Sequence, residues 1–245
     1  HPVVAVYSTF MQRAFDSVLH DICMQNLPVV LGLDRAGLVG DDGYTHHGVF
    51  DYSYLRLMPQ MTIMAPKDEN ELRHMLATAV NFNGPIALRY PRGSGLGVEI
   101  TEPLHTLPIG KAEEIKTGSD VCIWAVGSMV DEAVKAAEAL AEQGISAGVV
   151  NMRFVKPLDT ELLVKTALQC KNIVTLEEGT VEGGAGSAVL EELNDNGLVG
   201  KVKVLNLGIP DKYIPHGDKK LLLRDIGLDH DSIVKRIAEF LKDGE

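Results

Sequence analysis

The segment Val29-Val30-Leu31-Gly32-Leu33-Asp34-Arg35-Ala36-Gly37-Leu38-Val39-Gly40-Asp41-Asp42-Gly43-Tyr44-Thr45-His46-His47-Gly48 passes from an apolar run of strand length straight into a long polar loop. A short apolar run that ends in turn residues fits a buried strand of a parallel sheet. The same pattern recurs along the chain. It predicts strands at Val3–Val6, Val29–Leu33, Met61–Met64 and Pro85–Leu88, and a second series at Val121–Val126, Ile145–Asn151, Ile173–Glu177 and Val202–Leu207. Amphipathic helices are predicted between and after them, at Phe10–Gln25, Glu69–Asn81, Val130–Gln143, Thr160–Gln169, Ala185–Asn196 and Asp231–Lys242. Such alternation defines the α/β class, here two layered α/β domains with mostly parallel sheets.

Residues 93–118, with four glycines before Thr117 and prolines at 103 and 108, read as a linker with room for one short strand. A boundary near residue 105 divides the chain into 1–105 and 106–245. The first unit is small and opens directly on a strand, as a cut through a larger domain would. Net charge is −11 and the pI about 5.2, which excludes the basic footprint of a nucleic-acid binder. No apolar run approaches the ~18 residues of a membrane span. Cys23, Cys122 and Cys170 are widely separated, so neither a disulfide framework nor a structural zinc site is expected, and a reducing, cytoplasmic setting fits.

Ligands of open α/β sheets bind beyond the carboxyl ends of the strands. The Asp34–Gly48 loop lies at such an end, with four glycines, three aspartates, two histidines and one arginine. A plain surface loop is one reading. A metal site at Asp41, Asp42, His46 and His47 is disfavoured because adjacent histidines aim poorly at one ion and no ligand spacing is matched. A third reading gives His46 acid–base work beside Arg35 holding an anion. Arg92, in Arg89-Tyr90-Pro91-Arg92-Gly93, ends another strand and joins Arg35 as a candidate phosphate ligand.

Thr9-Phe10-Met11-Gln12 matches a capping box and predicts a helix from Phe10, with Met11, Phe15, Val18 and Ile22 on its core stripe. Phe10 and Arg13 fall off that stripe, near Tyr7 at the end of the preceding strand. They are either surface residues or the lining of a small cleft. In the second half, Asp159 is a candidate N-cap. Gly183-Gly184-Ala185-Gly186-Ser187 opens a helix without matching a phosphate-binding pattern, so its small residues are expected to serve close helix–sheet packing.

Three motifs then occur in a telling order: Tyr7-Ser8-Thr9-Phe10-Met11-Gln12-Arg13, the Asp34–His46 loop, and Arg89-Tyr90-Pro91-Arg92-Gly93. With Met152–Asp159 and Glu177–Ser187, they resemble the C-terminal portion of the 1-deoxy-D-xylulose-5-phosphate synthase family, within the transketolase superfamily, over essentially the whole chain. That resemblance implies a thiamin-diphosphate- and Mg²⁺-dependent transferase. It would condense pyruvate with D-glyceraldehyde 3-phosphate, release carbon dioxide, feed isoprenoid and thiamin synthesis, and act as a homodimer. It further implies that Phe10 stacks on the cofactor's aminopyrimidine and that Tyr7 and Arg13 line the substrate pocket. Asp42 and His46 would stand near the reacting carbons, and Arg35 and Arg92 would hold the acceptor phosphate.

The family's pyrimidine-protonating glutamate would precede His1, and its Mg²⁺- and diphosphate-binding segment belongs to a further N-terminal domain. Gly40-Asp41-Asp42-Gly43 does not replace that segment, since no asparagine follows at a suitable distance. The chain alone is therefore expected to be inactive and to need that domain as a partner. The alternatives are the β subunit of a 2-oxoacid dehydrogenase, a split transketolase half, and, from another class, a non-catalytic dimerisation module.

Overall fold

Apolar β-branched runs and alternating helices produce two five-stranded sheets in a computed structural model that describes residues 1–242. In the first sheet, β1 (Val3–Tyr7) and β2 (Val30–Ala36) pair in parallel, Val3 opposite Val30 and Tyr7 opposite Asp34. Between them, residues 8–23 form a helical segment of uneven pitch: α1 (Ser8–Met11), a 3₁₀ turn (Gln12–Ala14), α2 (Phe15–Ser17) and a π turn (Val18–Cys23).

The regular helix from Phe10 capped by Thr9 is thereby corrected. Tyr7 is the N-cap and makes no side-chain cap bond, while Thr9 lies inside the helix with its Oγ1 donating to the Thr45 carbonyl at 2.9 Å. Ala14, at φ −95° and ψ 9°, interrupts the α geometry. The core stripe survives this break, with Met11 and Val18 buried and Phe15 and Ile22 packed against the same cluster.

Next come α3 (Asp51–Arg56), β3 (Thr62–Met64), α4 (Glu69–Asn81) and β4 (Ile86–Pro91). Asp68 caps α4 by accepting the Glu71 N–H. Strands β1, β2, β4 and β3 lie side by side in that order, all parallel, and β1 at the outer edge leaves Val3 and Val4 exposed.

The second half contributes β5 (Glu113–Lys116), β6 (Val121–Ala125), α5 (Met129–Glu142), β7 (Ala147–Asn151), β8 (Phe154–Lys156), α6 (Thr160–Cys170), β9 (Asn172–Thr180), α7 (Ala185–Asp195), β10 (Lys203–Ile209), α8 (Lys219–Asp225) and α9 (His230–Lys242). Asp159 caps α6 through the Leu162 N–H. The second sheet runs β10-β9-β6-β7-β5, parallel except for β5.

One strand crosses over. β8 pairs antiparallel with β3 and completes the first sheet, with Phe154 fully buried there. A single apolar cluster draws on both sheets, including Leu31, Ile63, Trp124, Val150 and Ile173. Arg153 pairs with Glu71 of α4 at 2.6 Å, and Lys156 donates to the Arg56 and Met58 carbonyls. The three cysteines are buried and free. No described helix is long and apolar enough to cross a membrane.

Candidate active site

The polar loop is held from beneath. Gly37 and Gly48 exchange backbone hydrogen bonds at 2.8 and 2.9 Å, closing residues 38–47 into a compact excursion. The Leu38 N–H donates to Glu178 Oε1 at 2.7 Å. Glu178 is buried at the end of β9 and also accepts Ser128 Oγ at 2.7 Å and Lys219 Nζ at 2.8 Å. Gly37 sits at φ +76°, where a Cβ would lie 2.5 Å from that carboxylate, so glycine is required twice over. His47 Nδ1 accepts the Val39 N–H at 3.1 Å, which leaves Nε2 to donate to the Pro215 carbonyl at 3.2 Å. The loop therefore rests on the second unit.

Above these anchors the loop opens on a wall of aromatic and charged groups. Tyr7 and Phe10 stack with ring centroids 5.5 Å apart, and His46 meets Phe10 edge-on at 5.5 Å. Phe10 is 43% exposed, although an aromatic ring of that size would ordinarily be buried. Arg35 lies over the Tyr7 ring at 4.2 Å. Asp42 Oδ2 accepts Arg35 Nη1 at 2.8 Å and Arg92 Nη1 at 3.1 Å, so one carboxylate holds two guanidinium groups together. Arg92 Nη1 also donates to the Val39 carbonyl at 3.1 Å. Arg35 has φ +53°, a costly conformation for a side chain of this size, and Asp34 Oδ1 accepts its N–H at 2.6 Å.

Of the residues singled out in the sequence, Tyr7, Phe10, Arg35, Asp42, His46 and Arg92 thus share one surface at the carboxyl ends of β1, β2 and β4. Arg13 does not join their contacts. It is exposed on the 3₁₀ turn and makes no ion pair among the described residues. Asp41, Asp42, His46 and His47 do not converge as ligands, and no group of three or more His, Cys, Asp or Glu side chains placed to hold a metal ion occurs among the described residues.

Sequence reasoning missed the buried supports. Arg89 is 4% exposed; its Nε donates to both Asp51 oxygens, Oδ1 at 2.9 Å and Oδ2 at 2.8 Å, and its Nη2 to the carbonyls of Gly48 and Glu178. Its guanidinium also lies over the Tyr52 ring at 4.0 Å. Ser8 Oγ donates to Asp51 Oδ2 at 2.8 Å, tying the start of α1 to this hub. The visible signal was a lone arginine inside an apolar strand, a position that demands a partner.

Glu177, beside Glu178, is also buried. Desolvation pushes its pKa up to about 7, against the N–H groups of Gly186 and Ala185 that favour its charged form. The N-terminus of α7 thus holds an internal carboxylate. Its small residues do serve close packing: a Cβ on Gly184 would fall 2.3 Å from Glu177 Oε2, and one on Gly186 2.6 Å from Thr175 Oγ1.

Fold and site geometry together define the class, and comparison with known proteins supplies the family. Residues 1–96 match the transketolase pyrimidine binding domain and residues 110–233 the transketolase C-terminal domain. The chain belongs to the transketolase family. Among curated relatives, it is 56% identical over 240 residues to 1-deoxy-D-xylulose-5-phosphate synthase 1 of Geobacter sulfurreducens, covering 98% of this chain and 38% of that protein. It is likewise 56% identical over 241 residues to the 1-deoxy-D-xylulose-5-phosphate synthase of Thermomicrobium roseum, again 98% of this chain and 38% of the relative. The chain therefore spans well under half the length of these synthases. Among solved structures it resembles a split-gene transketolase described as an inactive beta4 tetramer, with TM-score 0.86, 32% identity, 98% of this chain and 76% of that one. The transketolase of Campylobacter jejuni shares the fold, with TM-score 0.74 and 19% identity over 97% of this chain and 35% of that one.

Proposed function

We propose that this chain forms the pyrimidine-binding and acceptor-phosphate wall of a 1-deoxy-D-xylulose-5-phosphate synthase, which joins pyruvate to D-glyceraldehyde 3-phosphate with loss of carbon dioxide. The observation that carries the reading is the Arg35–Asp42–Arg92 cluster standing directly beside Tyr7, Phe10 and His46. Phe10 keeps 43% of its surface exposed and so available to an aminopyrimidine, and its stack with Tyr7 holds the ring in place. Thiamin diphosphate, when bound, supplies the electron sink for decarboxylation.

The protein's share is position and charge. Arg35 and Arg92 present planar donors that match a phosphate, and Asp42 keeps the two cations together before substrate arrives. His46 Nδ1 is engaged by Thr45 Oγ1 at 2.9 Å, which leaves Nε2 to exchange a proton with the acceptor's oxygen. Arg13, exposed on the same helical segment, is assigned to substrate approach.

Mg²⁺ and the diphosphate would be held by residues outside this chain. The working enzyme is then a homodimer whose subunits carry a further N-terminal domain, and the isolated chain is inactive. A second reading, in which that part is a separate polypeptide, is favoured by the likeness to the split-gene transketolase.

The test completes this chain with the part of the Geobacter sulfurreducens synthase that it does not match. In that enzyme Phe10→Ala should weaken thiamin diphosphate binding about tenfold, the loss of one stacked aromatic. Unchanged cofactor affinity would remove Phe10 from the site.

A further inference from the structure

Six of the nine arginines are committed to carboxylates: Arg35 and Arg92 to Asp42, Arg56 to Glu191, Arg73 to Glu102, Arg89 to Asp51 and Arg153 to Glu71. In a chain of net charge −11 that is the ordinary outcome. Arg13, Arg224 and Arg236 make no ion pair among the described residues. Arg13 lies near the proposed active site. The other two line one cavity of about 560 Å³ in the second unit.

That cavity sits against β10, the outer strand of its sheet, and is lined by Asn206 and Gly208, by the end of α8 and by Arg236 of α9. Asp225 is the only carboxylate in its lining and pairs with neither arginine. Arg236 is half-buried, and burial alone holds its pKa below the ordinary arginine value. A guanidinium that has lost water and gained no acid carries an unmet cost, which a bound anion offsets. The volume suits a small molecule.

We propose that this cavity is a second anion site, independent of the Arg35–Asp42–Arg92 cluster, which takes the phosphate or pyrophosphate group of a small metabolite on Arg224 and Arg236. Two arginines lining one cavity offer a dianion two cations, where a lone surface arginine offers one. The acidic remainder of the surface makes a nucleic acid an unfit occupant.

The test titrates the chain with inorganic pyrophosphate by calorimetry, in parallel with Arg224→Gln/Arg236→Gln and Arg35→Gln/Arg92→Gln variants. Side-chain Nε–H signals of the arginines are followed by NMR in the same samples. The parent and the Arg35→Gln/Arg92→Gln variant should each retain this site, with shifts at Arg224 and Arg236. The Arg224→Gln/Arg236→Gln variant should lose at least about tenfold in affinity for it, as expected when charge-assisted hydrogen bonds are removed. Arg224→Gln alone, at an exposed position that folding tolerates, should give an intermediate loss. Pyrophosphate binding that is absent from the parent, that survives Arg224→Gln/Arg236→Gln unchanged, or that vanishes only with Arg35→Gln/Arg92→Gln would overturn the proposal.

Discussion

At the scale of single residues, the fold's heaviest electrostatic commitment is Arg89. With Arg89 at 4% exposure and Asp51 at 0%, neither charge has water to fall back on. Arg89→Met would leave Asp51 buried and unpaired, and should lower stability by about 3–5 kcal/mol, read from urea denaturation. Glu177 titrates in the opposite sense to a paired carboxylate. Its folded pKa, about 7, lies above the unfolded carboxyl value, so the native state keeps a proton that the unfolded chain has lost. Its contribution is therefore present below the unfolded value and fades as pH rises towards the folded one. Between about pH 5 and pH 7, parent stability should fall with pH by at most roughly 3 kcal/mol in all on account of this group, and Glu177→Gln should remove that fall. Identical slopes in parent and variant would remove Glu177 as the titrating group.

At the scale of elements, the Asp34–Gly48 loop owes its shape to backbone packed too closely for side chains. A Cβ on Gly48 would fall 2.5 Å from Ser8 Oγ and 2.8 Å from the Arg35 carbonyl. Gly48→Ala should cost about 1–3 kcal/mol in thermal or urea unfolding and move Arg35 away from Asp42, with a matching loss of anion affinity at that cluster. A variant as stable as the parent would show that the loop yields without strain. This loop was legible in the sequence because glycine spacing and charge both marked it, and Tyr7, Phe10, Arg35, Asp42, His46 and Arg92 do meet around it. Its supports were hidden because they are long-range: Leu38 meets Glu178, and Arg89 meets the Glu178 carbonyl. The long helices were equally legible, with Glu69–Asn81 found where its periodicity placed it. β8 and α3 were missed because three and six residues hold no readable period. Helix 8–23 was read as regular because Thr9's bond to Thr45 has no local signature.

At the scale of the molecule, β8 inserts into the first sheet and the polar loop leans on Glu178, Lys219 and the Pro215 carbonyl. The candidate site therefore depends on both units, and a chain of net charge −11 still presents two arginines where an anion would arrive. The most direct test uses the enzyme completed as above and compares kcat/KM for D-glyceraldehyde 3-phosphate with that for unphosphorylated D-glyceraldehyde. Arg35→Gln/Arg92→Gln should abolish most of the preference for the phosphorylated acceptor, a loss of roughly a hundredfold or more for two charge-assisted contacts, while the rate with D-glyceraldehyde changes little. A preference that survives both substitutions would contradict the assignment of this cluster to the acceptor phosphate.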